Sequence, residues 1–330
     1  MKKIILILSV SVFLSSCKSS KKNNEEDVIE IAMNSANSVL EEAEMYSDIA
    51  RNLNQLSSDE LMGRQIGTEG IEKAAQYLEA ELTSIGVKPY FDTFRDVFEV
   101  KGVVASNIVG VIEGSDSKLK DEYVILGAHY DHIGSATAVD GDQIANGAND
   151  NASGCTAVLA MARSFAKANL KRSVLIVFFS AEESGLLGSI HLANKLKGRN
   201  LNLYAMYNFE MLGVPMKDKD YLVYHTGIAT SNMAEKINEY AGKKLIGQLP
   251  EEMKYQLFRR SDNYSFYLEF KVPSHTVSTF DFQNYEYYHH VKDEFGFLDA
   301  GHIANVAEEL RTPLVKVINS KPGEIHSNDK

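Results

Sequence analysis

The chain has 330 residues, 44% of them hydrophobic and 24% charged, a balance that excludes both a wholly disordered protein and a membrane-embedded one. Its formal net charge of -11 argues against nucleic acid and anionic lipid as partners, since both attract basic surfaces.

The first residues, MKKIILILSVSVFLSSC, place a basic start before an apolar stretch from Ile4 to Leu14 and small residues before Cys17. That stretch falls short of the ~20 residues that span a bilayer, so it reads as a secretory signal. Its ending, LSSC, resembles the lipobox of bacterial lipoproteins, which implies cleavage before Cys17 and a lipid there. The expectation is an exported cell-envelope protein, at the outer membrane or facing the periplasm, touching membrane only through that lipid. Cys155 then has no cysteine left to pair with inside the chain, and reads as a small packed residue at the start of a helix. Residues 18–45 read as a polar tether running into the start of a helix, 46–320 as one folded domain, and 321–330 as a frayed polar tail.

Within the domain, Thr68 is placed to cap a helix in which Ile71, Ala74, Ala75, Leu78, Leu82 and Ile85 recur at helical spacing until Gly86. Apolar, β-rich runs follow at SNIVGVIEG, YVILGAH, SVLIVFFSAEE, YAMYNFEML and VPSHTVST. Helical stretches occur at SGCTAVLAMARSFAKA, SGLLGSIHLANKLK, SNMAEKINEYA and AGHIANVAEELRTPLVKVIN. Strands that are apolar on both faces and alternate with helices predict an α/β fold, with a mixed, mostly parallel central sheet flanked by helices on both faces. Ligands of such sheets collect at the carboxyl ends of the strands.

Those ends carry metal-capable side chains. VILGAH finishes at His129, LIVFFSAEE at Glu182 and Glu183, and YAMYNFE at Glu210, while Asp150 sits in the glycine-bounded loop NGANDNASG and His289 in YYHHVKD. Imidazole and carboxylate both suit zinc, and a loop aspartate such as Asp150 can bridge two cations. An adjacent glutamate pair is by itself an ordinary solvated turn. At the end of a buried strand, one of the two can ligate metal while its neighbour serves as a general base.

In order along the chain, GAHYDHIG, NGANDNASG, SAEESGLLGS, NFEMLG, RRSDNYSFY and YYHHVKD resemble the motifs of the co-catalytic zinc aminopeptidases. These are secreted bacterial exopeptidases whose clan also contains glutaminyl cyclases and the transferrin receptor ectodomain. The similarity runs from about Ser57 to Asn319 and takes in the approach loop DELMGRQIGTEG. It implies a zinc-dependent exopeptidase fold of the phosphorylase/hydrolase type, with His129 on a first zinc, Asp150 bridging, and Glu183 and His289 on a second. Glu182 would be the base, Asp131 would hydrogen-bond a ligand imidazole, and Tyr288 would stabilise an oxyanion. Glu210 stands where the family carries an aspartate on the first zinc, which leaves open two zinc ions per chain or one. His132 reads as a loop histidine, His290 as solvent-facing or supporting a ligand, and Asp262 as structural or substrate-facing.

The function so implied is a metallopeptidase that removes amino-terminal residues from peptides. One alternative is a mono-zinc cyclase of amino-terminal glutamine on the same scaffold. The other is a peptide-binding surface lipoprotein without catalysis.

Overall fold

The computed structural model describes residues 40–328, and the expectations that concern the signal, Cys17 and most of the tether lie outside them. The chain divides into two compact units, residues 1–43 and 44–330. Of the first unit the described residues, 40–43, are helical and exposed. Everything below concerns the second.

The strands of this body are β1 (Lys88–Pro89), β2 (Arg95–Val100), β3 (Val103–Ile112), β4 (Glu122–His129), β5 (Gly134–Val139), β6 (Asp142–Ala145), β7 (Ser173–Phe179), β8 (Asn202–Phe209), β9 (Val223–His225), β10 (Ile246–Gly247) and β11 (Ser274–Ser278). Its helices are α1 (residues 44–56), α2 (Glu69–Ile85), α3 (Ser153–Phe165), α4 (Leu187–Gly198), α5 (Met233–Ala241), α6 (Glu251–Tyr255), α7 (Asn263–Phe270) and α8 (Ala300–Ile318). Nine strands form one mixed sheet in the order β1-β3-β7-β4-β8-β11-β9-β10, with β2 paired to β3. Its centre, β7-β4-β8-β11, is parallel, and antiparallel strands border it on both sides.

Period-two alternation explains why these strands read as apolar on both faces. Val124, Leu126 and Ala128 of β4 join one core with α2, α3, α5 and α8, while Ile125 joins a second core with Leu192 and Leu196 of α4 and Phe266 of α7. Each side chain taken fully out of water contributes ~1.5–3 kcal/mol, and β7 is buried at every one of its residues. The helix after Thr68 forms as expected. Thr68 Oγ1 accepts from Ile71 N, and Gly86 ends α2 at φ 89°, a left-handed conformation that glycine adopts without penalty.

Two expectations change. The sequence pattern predicts no counterpart for β1, β2, the β5–β6 hairpin, β9, β10, α6 or α7. The tail is also docked rather than frayed through residue 328: Asn328 N donates to Thr230 O at 2.8 Å, Asn232 Nδ2 donates to Glu324 O at 2.8 Å, and Ile325 is buried in the larger core.

Candidate metal centre

The parallel strands bring three expected ligands to the carboxyl end of the sheet. His129 is the last residue of β4 and pairs in register with Phe179, the last of β7. The chain continues from Phe179 through Ser180 and Ala181 to Glu182 and Glu183, and Glu210 follows the end of β8. Asp150 lies in the wide turn Ala148–Ala152 that leads into α3, and His289 in the long connection between β11 and α8. Ala181, Met211 and His289 all take positive φ, at 60°, 50° and 54°. Such values are costly for non-glycine residues and cluster at sites that hold side chains in fixed directions.

His129 Nε2 lies 3.2 Å from Asp150 Oδ1, and His289 Nε2 lies 3.3 Å from Asp150 Oδ2 and 3.1 Å from Glu183 Oε2. His132 joins this group, with Nδ1 2.8 Å from Glu183 Oε1 and 3.9 Å from Asp150 Oδ2. His132, Asp150, Glu183 and His289 can each present a ligand atom within 4.8 Å of the others. By sequence His132 reads as a loop histidine, yet it is buried with its ring on Glu183. Glu210 lies at the same end of the sheet, but its carboxylate accepts the Ser261 hydroxyl, and Ser261 in turn accepts from Asn208 Nδ2 at 2.7 Å.

Asp131 supports the site differently from expectation. Its backbone carbonyl, not its carboxylate, holds His129 Nδ1 at 3.1 Å. The carboxylate instead accepts the backbone N–H groups of Glu182 at 3.1 Å and Glu183 at 3.3 Å. Tyr288 is half exposed and stacks on His289, with ring centroids 4.0 Å apart, and on Phe280 at 5.6 Å. His290 Nδ1 accepts from Lys292 N, within its own loop. Asp262 is fully buried, and burial raises its carboxyl to about 7.

The electrostatics of the site are those of a place built for positive charge. Burial opposes ionisation of Asp150, but His129 and His289 beside it hold it below the usual carboxylate range. Burial likewise opposes a charged His289, yet Asp150 and Glu183 raise it to about 10. Burial, reinforced by neighbouring carboxylates that include Glu210 and Asp262, pushes Glu182 well above its ordinary value. Burial also raises Glu210 to about 7.

The residues present fit a divalent metal. The Nε2 atoms of His129 and His289 are buried, lack a well-aligned hydrogen bond, and point at carboxylate oxygens. Nitrogen and oxygen donors converging in this way are the set that zinc accepts.

The model of peptidase family M28 matches residues 107–312, a stretch that includes every one of these groups. The chain belongs to peptidase family M28. Among relatives of this M28 chain, a "Probable zinc metalloprotease" of Pyrenophora tritici-repentis is 35% identical over 149 residues, covering 44% of this chain and 33% of that protein. "Leucine aminopeptidase 2" of Trichophyton rubrum is 29% identical over 175 residues, 51% of this chain and 32% of that protein. The chain thus spans about a third of the length of the curated relatives it matches. Among solved structures, the LapA aminopeptidase of Legionella pneumophila aligns with a TM-score of 0.66 at 20% identity, over 93% of this chain and 78% of that one. The glutaminyl cyclase of Fimbriiglobus ruber aligns with a TM-score of 0.64 at 18% identity, over 82% of this chain and 94% of that one. At those identities the likeness is one of fold, and it agrees with the mixed sheet and helical layers predicted from the sequence.

Proposed function

We propose that this M28 chain is a zinc-dependent aminopeptidase that hydrolyses amino-terminal residues from peptides. The observation that carries the reading is the convergence of His129, Asp150, Glu183 and His289 at the strand ends, with Glu182 beside them. In this reading Asp150 would be shared between two zinc ions, with His129 and Glu210 holding one and Glu183 and His289 the other. Zinc held there supplies Lewis acidity, which acidifies water and polarises a carbonyl oxygen.

Glu182 takes the proton of the attacking water and delivers it to the leaving amine. Its burial supports this role, because a desolvated carboxylate with carboxylate neighbours gains a proton readily. Tyr288 donates its hydroxyl to the oxyanion, and burial together with Asp150 and Glu183 keeps that hydroxyl protonated. Met211, Tyr224, Leu257, Phe280 and Phe282 line a pocket with Tyr288 beside Glu210, an apolar wall for the substrate's first side chain. The names of the Trichophyton and Legionella proteins support the choice of aminopeptidase. Export and a lipid on Cys17 belong to the same proposal, supported by residues 1–17.

Product mass tests the reading. Hydrolysis shortens a peptide by its first residue, whereas cyclisation of amino-terminal glutamine releases ammonia and keeps every residue. Zinc content tests the site: two ions per chain, falling to one or fewer in Glu210→Ala, are expected. A single ion untouched by that substitution would overturn the two-ion assignment.

A further inference from the structure

We infer that Arg64 and Asp293 are positioning residues that set the spacing of the three ligand-bearing segments before metal arrives. The inference rests on the metal-centre reading above.

Arg64 is 1% exposed and, among the described residues, has no carboxylate in hydrogen-bond contact. Its guanidinium donates instead to four backbone carbonyls. Nε reaches Tyr130 O at 2.8 Å, between His129 and Asp131, and Nη2 reaches Gly147 O at 2.9 Å. Nη1 reaches Asn146 O and Leu56 O. The Arg64 carbonyl in turn accepts from His132 N at 3.3 Å. One side chain therefore ties the segment of His129 and His132 to the loop of Asp150.

The local backbone exists to put Arg64 there. Met62, Gly63 and Arg64 take φ of 50°, 67° and 51°, and a Cβ on Gly63 would collide with the backbone oxygens of Gly134 and Ala145. Three consecutive left-handed residues turn the chain inward beneath the site, at a cost that ordinary packing does not require.

Asp293 does the equivalent work from the other side. It is 0% exposed; its Oδ1 accepts from Asn149 N at 2.7 Å and from Tyr285 Oη at 2.6 Å, and its Oδ2 accepts from Asp150 N at 3.0 Å. Its backbone carbonyl accepts from Ala148 N at 3.0 Å. Because Asp293 follows His289 by four residues, it couples the loop of His289 to the loop of Asp150. His129, Asp150 and His289 reach one point only if these three segments keep their spacing; the β5–β6 pairing of Gly134 with Ala145 links the first two at a distance, and Arg64 and Asp293 tie the segments directly beside the ligands.

The test is zinc affinity, measured by competition with a chromophoric chelator on wild type, Asp293→Asn and Arg64→Lys. Both variants keep size or charge while losing an acceptor or the planar fork. Zinc affinity is expected to fall ~10–100-fold in each, the range typical for groups that support metal ligands. Excess zinc is expected to restore kcat with KM unchanged, a rescue that general damage to the fold would not allow. Wild-type zinc affinity in both folded variants would overturn the inference, as would loss of activity that excess zinc does not repair. Should Arg64→Lys fail to fold, Asp293→Asn and Tyr285→Phe decide by the same readouts. A wild-type protein that takes up no zinc would remove the metal-centre reading itself, and this inference with it.

Discussion

Glu182 and Glu183 are neighbours in the chain with separate tasks, and the surroundings of each distinguish them. Glu183 is engaged by His132 and His289, so its charge is already committed to ligand chemistry. Among the described residues Glu182 has no such imidazole partner in hydrogen-bond contact, and burial is the largest influence on it. Glu182→Gln keeps the shape and removes the base, so kcat should fall by ~100-fold or more while zinc content stays at the wild-type value. Loss of zinc in that variant would show that Glu182 is a ligand instead. His132→Gln should act through Glu183: weaker zinc retention under chelator, by ~10-fold, with kcat recovered at saturating zinc. The role of His132 was not legible in the sequence, because its partner lies 51 residues away and the same histidine in an exposed loop would give an identical local pattern. Glu182 and Glu183 were legible because six buried apolar residues, Val174 to Phe179, precede them, a context that a solvated turn does not have.

At the scale of elements, the ends of β4 and β7 are adjacent in a parallel ladder, yet no ladder bond reaches as far as Glu183. Asp131 supplies what is missing by accepting the N–H groups of both glutamates, so the chain leaving β4 fixes the chain leaving β7. Asp131→Asn should lower kcat/KM ~10–100-fold by replacing one of those acceptor oxygens with a donor; unchanged kinetics would show that the strand ends hold their own geometry. Strands β3, β4, β7 and β8 were readable because each carries apolar residues on both faces, whereas β11 is buried throughout yet polar at every position but Val277. The β5–β6 hairpin was not readable, since it stands off the main sheet, and in Gly134–Val139 only Gly134 is buried. A strand that is largely exposed on both faces has no alternation to read. Strands β9 and β10 have three and two residues, too short to show a period at all.

At the scale of the molecule, one acid-sensitive element lies outside the metal centre. His225 and His275 are fully buried and stacked 5.2 Å apart; His225 Nε2 contacts Tyr207 Oη at 2.5 Å, and His275 Nε2 contacts Ser231 Oγ at 2.6 Å. Burial lowers His275 to about 4, and burial followed by His275 lowers His225 well below its ordinary value. Both therefore fold neutral, and the unfolded chain binds more protons below about pH 6.5. The stability they permit is complete above that pH and declines as pH falls from about 6.5 towards 4, by on the order of 3 kcal/mol for His275. In the metal-free fold the raised carboxyls of Glu182, Glu210 and Asp262 hold protons over the same window and act in the opposite direction, so the decline is read as the Tm difference between wild type and His275→Gln, which should shrink as pH falls. A difference that stays constant down to pH 4.5 would contradict it.

The docked tail covers this same region. Residues 324–328 hydrogen-bond to Ala229, Thr230 and Asn232, the residues that flank Ser231, and Ile325 fills the core behind them. For anyone trimming the gene to a minimal expression unit, the obvious cut after α8 would fall on the wrong side of a hinge pin. A stop codon at Lys321 should give a product that melts several degrees lower and is clipped by protease between α5 and β9, whereas an affinity tag appended beyond Asn328 should leave the melt unchanged.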